Sequence, residues 1–199
     1  FITGFNLAVL AVIACSAGLV VAVRGQVNSV ERVSAVDSVL SSPSQGFVNY
    51  LIVGSDSREG ADPSSPDYGG IGDVNETSGR RSDTIILMHV DKVLSTIALT
   101  SIPRDLWIEI PGQETNRINA AYGFGEATLV DTVQTTLGIP VNHYVEVDFN
   151  SFKAIISAID GVELCFDYPT RDVHTGLNVT TPGCQVLDSM QSLAYARSR

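Results

Sequence analysis

Three short segments set aspartate beside arginine where an apolar run starts or stops: Gly54-Ser55-Asp56-Ser57-Arg58, Arg80-Arg81-Ser82-Asp83 and Pro103-Arg104-Asp105. A further pair of arginines occurs in Arg197-Ser198-Arg199. Arginine offers a planar fork of donors matched to phosphate and carboxylate. Aspartate oxygens suit a hard cation such as Mg2+, which takes one or two carboxylates, substrate phosphates and water. If the apolar runs are neighbouring strands, their ends converge on one rim, and that combination is the apparatus of phosphoryl transfer. Asp56 and Asp83 are then the candidate metal ligands and Asp105 a candidate carboxylate base. Surface ion pairs and Asx turns at loop starts explain any single segment equally well, so spacing alone leaves both readings open.

Other chemistries lose their usual supports. The sequence contains no G-x-x-x-x-G-K-[ST], G-x-S-x-G or H-E-x-x-H pattern, and no G-x-G-x-x-G after a strand. Its histidines, His89, His143 and His174, lie away from the Asp/Arg segments, and His89 within an apolar run reads as a core histidine. The 199 residues carry 22 acidic against 12 basic side chains, a net charge of −10. A chain so acidic repels a polyanion at long range, which argues against nucleic acid as a partner. An anionic ligand must be gripped locally, and the basic residues are nearly all arginine, with only Lys92 and Lys153 as lysines.

These residues need a scaffold, and the pattern supplies an α/β one. Phe47 to Val53 is a dense β-branched and aromatic run that empties into a loop at Gly54, the kind of strand end where sites form. The loop from Gly54 to Ser82 is rich in Gly, Ser, Pro and Asp, and loops this long are uncommon unless they bind something or are disordered. Thr84–Val90 and Ser95–Ile102 read as strands around a turn at Asp91-Lys92, and Trp107–Ile110 as a short strand. Glu126–Leu137 reads as an amphipathic helix stopped by Gly138, Tyr144–Val147 as a strand and Phe149–Ile159 as a helix ended by Gly161. A strand over Gly161–Phe166 follows, and Asp188-Ser189-Met190-Gln191 has capping-box spacing for a last helix. Strands and helices mixed in this way mean α/β layers.

Upstream, Phe1 to Val23 holds no charged residue before Arg24. As a helix it spans about 35 Å, enough for a hydrocarbon core of about 30 Å. A retained transmembrane anchor over residues 1–23 is expected in preference to a cleaved signal peptide, whose apolar region is shorter. Val12-Ile13-Ala14-Cys15 resembles a lipoprotein box, but the sequence after it stays apolar. Valines at 27, 30, 33, 36 and 39 suggest a short amphipathic helix within Gly25–Leu40, and Ser41–Gly46 a linker, so residues 24–46 are expected as a juxtamembrane helix and linker. Residues 47–199 then form the folded domain. Cys165 and Cys184 flank a Gly/Pro-bearing loop without metal-ligand spacing. They fit a disulfide in an oxidising, extracytoplasmic compartment, with two unrelated buried thiols as the alternative.

Taken in order, NYLIVGSDSR, RRSDTIILMHVD, SIPRDLWIEIPG, RINAAYGFGE, GVEL and LAYARSR resemble the LytR-CpsA-Psr family from about Asn49 to Arg199. The cysteine pair resembles its actinobacterial branch. The resemblance implies a central mixed β-sheet flanked by helices in a three-layer αβα arrangement, behind one N-terminal transmembrane helix, with the catalytic domain outside the cell membrane. It implies a phosphotransferase that moves a glycopolymer from a polyprenyl-pyrophosphate carrier onto peptidoglycan, with Mg2+ at the pyrophosphate. A polyprenyl-pyrophosphate pyrophosphatase and a non-catalytic envelope scaffold that binds glycan or lipid are the alternatives. Carried over by position, Asp56 and Asp83 resemble the metal and pyrophosphate carboxylates. Arg58, Arg81, Arg104, Arg197 and Arg199 resemble the phosphate-binding arginines, and Asp105 the acidic partner that orients Arg104 or accepts a proton. Apolar positions of the helices over Glu126–Leu137 and Phe149–Ile159 are candidates to line lipid. Family members continue past the YARSR helix, so the resemblance also implies a C-terminally truncated domain and an inactive isolated fragment. Arg197 and Arg199 stand two apart, so both reach one phosphate only if the helix ends or bends between them.

Overall fold

The computed structural model describes residues 32–55 and 82–198. The chain divides into a first unit ending at Asp37 and a second beginning at Ser38. The transmembrane anchor expected over residues 1–23 lies outside the described residues, among which no helix is long and apolar enough to cross a membrane.

The amphipathic helix expected to run to Leu40 is, in its described part, one 3-10 turn over Ser34–Val36. β-Branched valines resist helical rotamers, and Val33 already has a non-helical backbone, φ −79° and ψ 82°. The carbonyl of Val39 accepts from Gln134 Nε2 at 2.7 Å and so serves a tertiary contact. Nor is the stretch from Ser41 a free linker. Ser41 N donates to the Val141 carbonyl at 2.8 Å, and Asn142 Nδ2 donates to the carbonyls of Ser41 and Ser42 at 3.0 and 3.1 Å.

The central sheet has the strand order β3-β2-β1-β6. β1 (Phe47–Ser55) runs antiparallel to β2 (Ser82–Asp91) and parallel to β6 (His143–Val147), and β2 is antiparallel to β3 (Thr96–Ile102). The sheet is therefore mixed. The β2–β3 turn is tied by Asp91 Oδ1, which accepts from the backbone N–H groups of Val93 and Leu94, both at 2.8 Å. Strand alternation puts Leu51, Val53, Ile85, Leu87 and Ile102 on one face, and all are buried. The opposite face carries Ile97, Leu99 and Val145, which are 66%, 67% and 39% exposed.

After β3 the chain forms a two-stranded ribbon, β4 (Trp107–Ile108) with β5 (Asn116–Arg117), then helices α1 (Ile118–Gly123) and α2 (Glu126–Leu137). α1 packs on β2 and on α2. α2 buries Leu129, Val130 and Val133, and Gly138 ends it in the left-handed region, φ 70°. α3 (Phe149–Ala158) opens with a reciprocal capping box between Asp148 and Ser151.

The rest is a smaller arm. β7 (Val162–Phe166) pairs with β10 (Gly183–Leu187), β8 (Thr170–Asp172) pairs with β9 (Leu177–Val179), and α4 (Ser189–Arg197) closes over them. Phe166, Leu177, Val179, Leu187 and Ala194 form its core. Cys165 and Cys184 are cross-strand partners joined by a disulfide. Gly161, φ 100°, is needed where β7 begins, because a Cβ there would stand 2.6 Å from Val186 Cγ1 and 2.7 Å from the Leu187 carbonyl oxygen. In α4 the capping-box spacing is only half used. Asp188 caps Gln191 N at 2.8 Å, whereas the Gln191 amide accepts from Asn178 N at 2.9 Å and donates to the Gly176 carbonyl at 3.2 Å.

Candidate functional site

Antiparallel and parallel pairing together bring one end of each central strand to a common rim. Ser55, the last residue of β1, pairs with Ser82, the first of β2, and Gly54 pairs with Val147 at the end of β6. Ile102, the last residue of β3, pairs with Ile85 near the start of β2. Asp83, by its backbone, is the second residue of β2 and lies on this rim. Arg104 and Asp105 follow the end of β3 within two or three residues.

Their loop is clipped onto the start of α1. Leu106 N donates to the Pro103 carbonyl at 3.0 Å, Ile118 N to the Leu106 carbonyl at 2.8 Å and Asn119 N to the Arg104 carbonyl at 3.2 Å. Asp105 stands between two guanidinium groups, with Oδ2 3.5 Å from Arg104 Nε and Oδ1 3.3 Å from Arg117 Nη1. These side chains are 43–61% exposed, so the pairing costs little desolvation.

Arg197 reaches the same rim from the arm. It is the last residue of α4, and its guanidinium carbon lies 4.9 Å from the ring centroid of Phe149, the first residue of α3 after β6. Ser198 is extended, φ −66° and ψ 150°, so the helix ends between Arg197 and Arg199, as a shared phosphate requires. Asp56, Arg58, Arg81 and Arg199 lie outside the described residues.

Just beneath the rim is a polar cluster. The Tyr122 hydroxyl donates to Glu146 Oε1 at 2.5 Å and lies 3.1 Å from Ser55 Oγ. Tyr144 donates to the other oxygen, Oε2, at 3.1 Å. Burial first, and then the negative charge of Glu146, push the Tyr144 pKa up, so its hydroxyl remains a protonated donor. Glu146 thereby ties the end of β1 to β6 through α1. Ser82 Oγ is buried and has no hydrogen-bond partner among the described residues.

Residue-by-residue reading missed Arg117, Tyr122, Tyr144 and Glu146. Arg117 and Tyr122 sit inside the quoted RINAAYGFGE stretch, and the alternation of HYVEV puts Tyr144 and Glu146 on one face of a strand, which is the signal that could have found them. His89 is structural: its Nδ1 lies 2.6 Å from Asn49 Oδ1, and its ring packs 5.3 Å from that of Phe47 at the far end of the strands. His143 stacks on Tyr50 with centroids 4.7 Å apart. Asp105 is thus the carboxylate that the rim presents among the described side chains next to arginine.

Among the described residues no group of three His, Cys, Asp or Glu side chains is placed to hold a metal. Asp56 and the side chain of Asp83, the expected ligands, lie outside the described residues, and Asp105 is engaged by two arginines.

Comparison with known proteins bears on this rim. The sequence profile of the LytR_cpsA_psr family matches residues 19–199. The chain is 32% identical over 173 residues to the probable cell wall biosynthesis protein LcpB of Corynebacterium glutamicum, a match covering 86% of this chain and 41% of that protein. It is 37% identical over 134 residues to the polyisoprenyl-teichoic acid–peptidoglycan teichoic acid transferase TagU of Enterococcus faecalis, covering 64% of this chain and 42% of that one. In structure it resembles the LytR-CPS2A-psr family protein YwtF (TagT) of Bacillus subtilis with bound octaprenyl pyrophosphate lipid, with TM-score 0.58, 25% identity and coverage of 80% of this chain and 60% of that chain. The chain spans about two fifths of the length of the two curated relatives.

Proposed function

Because the chain belongs to the LytR-CpsA-Psr family, we propose that it carries the pyrophosphate site of a phosphotransferase that moves a glycopolymer from a polyprenyl-pyrophosphate carrier onto peptidoglycan. The observation that carries this reading is the convergence of four strand ends on one rim, where Arg104 and Asp105 meet from one side and Arg197 from the other. The names of relatives as teichoic acid transferases, and the pyrophosphate lipid in the related structure, support it. In the whole protein we place residues 1–23 as a membrane anchor, the domain outside the membrane and a second helical layer over the open face of the sheet.

In the reaction, a hydroxyl of the wall glycan attacks the sugar-linked phosphorus. A new O–P bond forms, the bridging P–O bond breaks, and polyprenyl phosphate leaves. Arg104 and Arg197, with Arg58, Arg81 and Arg199, neutralise charge that grows on the phosphate oxygens. In this reading Asp105 orients Arg104 and takes the hydroxyl proton. Mg2+, held by Asp56 and Asp83, would neutralise the pyrophosphate when bound.

The test is transfer of labelled glycan from a short-chain polyprenyl-pyrophosphate donor by the full-length protein. Arg104→Ala is expected to lower kcat by about 10²–10³, the usual cost of one charge-stabilising donor. Labelled sugar released to water instead of onto wall glycan would make the enzyme a pyrophosphatase. Unchanged cellular function in Asp56→Ala and Asp83→Ala would leave only a binding scaffold.

A further inference from the structure

Beside the rim lies a cavity of about 370 Å³ lined by Trp107, Asn116, Arg117, Asn119 and Ala120, and we propose that it seats a sugar of the acceptor, the N-acetylated glycan strand of peptidoglycan. This proposal rests on the transferase reading for its role and on the cavity for its chemistry.

The cavity is of ligand size, and its wall is unusual for a surface. Trp107 is the only tryptophan of the chain, and it is 66% exposed instead of packed. It pairs across the β4–β5 ribbon with Arg117, which sets indole and guanidinium at matched positions on adjacent strands. An exposed indole is a flat apolar plate with one donor, and such residues anchor binding sites.

Around the plate stand amides. Asn116 Oδ1 accepts from Arg117 N at 2.8 Å, which fixes that side chain and leaves its NH2 group as a donor. Asn119 is held by its backbone to Arg104, while its side chain makes no hydrogen bond among the described residues. Amide groups can both give and accept, which suits hydroxyl and acetamido groups.

The local charge is modest. Arg117 shares the single Asp105 carboxylate with Arg104, so the one cation lining the cavity among the described residues is partly screened and can still meet one carboxylate, such as that of N-acetylmuramic acid. An indole plate ringed by amides suits a molecule with apolar faces and many hydrogen-bonding groups, which describes an amino-sugar strand. Its place is also right for an acceptor, because two of its lining residues lead to Arg104: Arg117 through the shared Asp105 and Asn119 through its backbone N–H.

The single tryptophan makes the site its own reporter. Titration of the full chain with a tetrasaccharide of alternating N-acetylglucosamine and N-acetylmuramic acid is expected to give a saturable shift of Trp107 emission, with affinity about tenfold weaker in Asn119→Ala. In the transfer assay, Trp107→Ala is expected to raise KM for this acceptor about tenfold while binding of the polyprenyl-pyrophosphate donor is unchanged. Thermal unfolding of both variants at the wild-type temperature ensures that the loss is local. No saturable shift up to about 1 mM, equal affinity in Asn119→Ala, or a shift produced by the donor glycan alone would overturn the proposal. Wild-type protein without transfer but with a saturable shift would retire the reaction and keep the sugar site.

Discussion

The central sheet and the arm from Val162 to Leu187 are both β-rich, yet they are held together by different means. Under the sheet, Leu51, Val53 and Ile85 are 0% exposed and Tyr122 is 1% exposed, so burial against α1 and α2 suffices. The arm has only two-stranded ladders, with strands of three to five residues, and leaves Tyr168, Val173 and Val186 at 62–72% exposure. Two-stranded ribbons are marginal by themselves, and a small core needs a staple. The Cys165–Cys184 bond supplies it across a sequence separation of 19. One consequence bears on the proposed site: Arg197 lies at the end of α4, so its position depends on the stapled arm as well as on the sheet.

The contrast can be broken from either side. Leu51→Ala opens a cavity in the sheet core and should cost about 2–5 kcal/mol in denaturant unfolding; a loss below about 1 kcal/mol would mean the sheet is not closed by packing. Replacing Cys165 and Cys184 together by serine should cost about 3 kcal/mol for a loop of this length, with proteolysis entering first between β7 and β10. If reduction leaves unfolding and proteolysis unchanged, the arm stands on its own core.

Subtler changes sharpen the comparison at the rim. Tyr122→Phe removes one donor from the Glu146 carboxylate and should cost about 2 kcal/mol, with hydrogen exchange rising first at the end of β1. The smallest effect belongs to the arm. Hydrogen bonding from His174 N, at 2.8 Å, holds the Asp172 carboxyl below the usual aspartate range. Its contribution is complete above the unfolded value and is lost as pH falls through the lower folded one. Asp172→Asn should therefore lower Tm slightly near neutral pH and match the wild type in acid, as a melting series would show.

Much of the scaffold was legible because the signals are local. Glu126–Leu137 has the predicted limits, set by burial at Leu129, Val130 and Val133 and by the Gly138 stop. The strands over 84–90 and 144–147 were found within a few residues of their true ends. Where tertiary contacts outbid local pattern, the reading failed. The valines before Leu40 suggested a helix, but Gln134 claims the Val39 carbonyl. The last helix starts where Asp188 puts it, capped at Gln191 N, although β9 and its turn claim the Gln191 side chain that would close the box.

The same division applies to the site. Sequence alone determined the residue types, the Arg104–Asp105 pair after the end of β3 and the family, because those are properties of short stretches and their order. That Arg104 and Arg197, 93 positions apart in the chain, serve one rim was decided by strand register and by the stacking of Arg197 on Phe149. The bridge from Arg104 through Asp105 to Arg117, and the exposed Trp107 beside it, arise only when β4 and β5 pair. Chain order carries chemistry within a segment, whereas the geometry between segments belongs to the packed sheet.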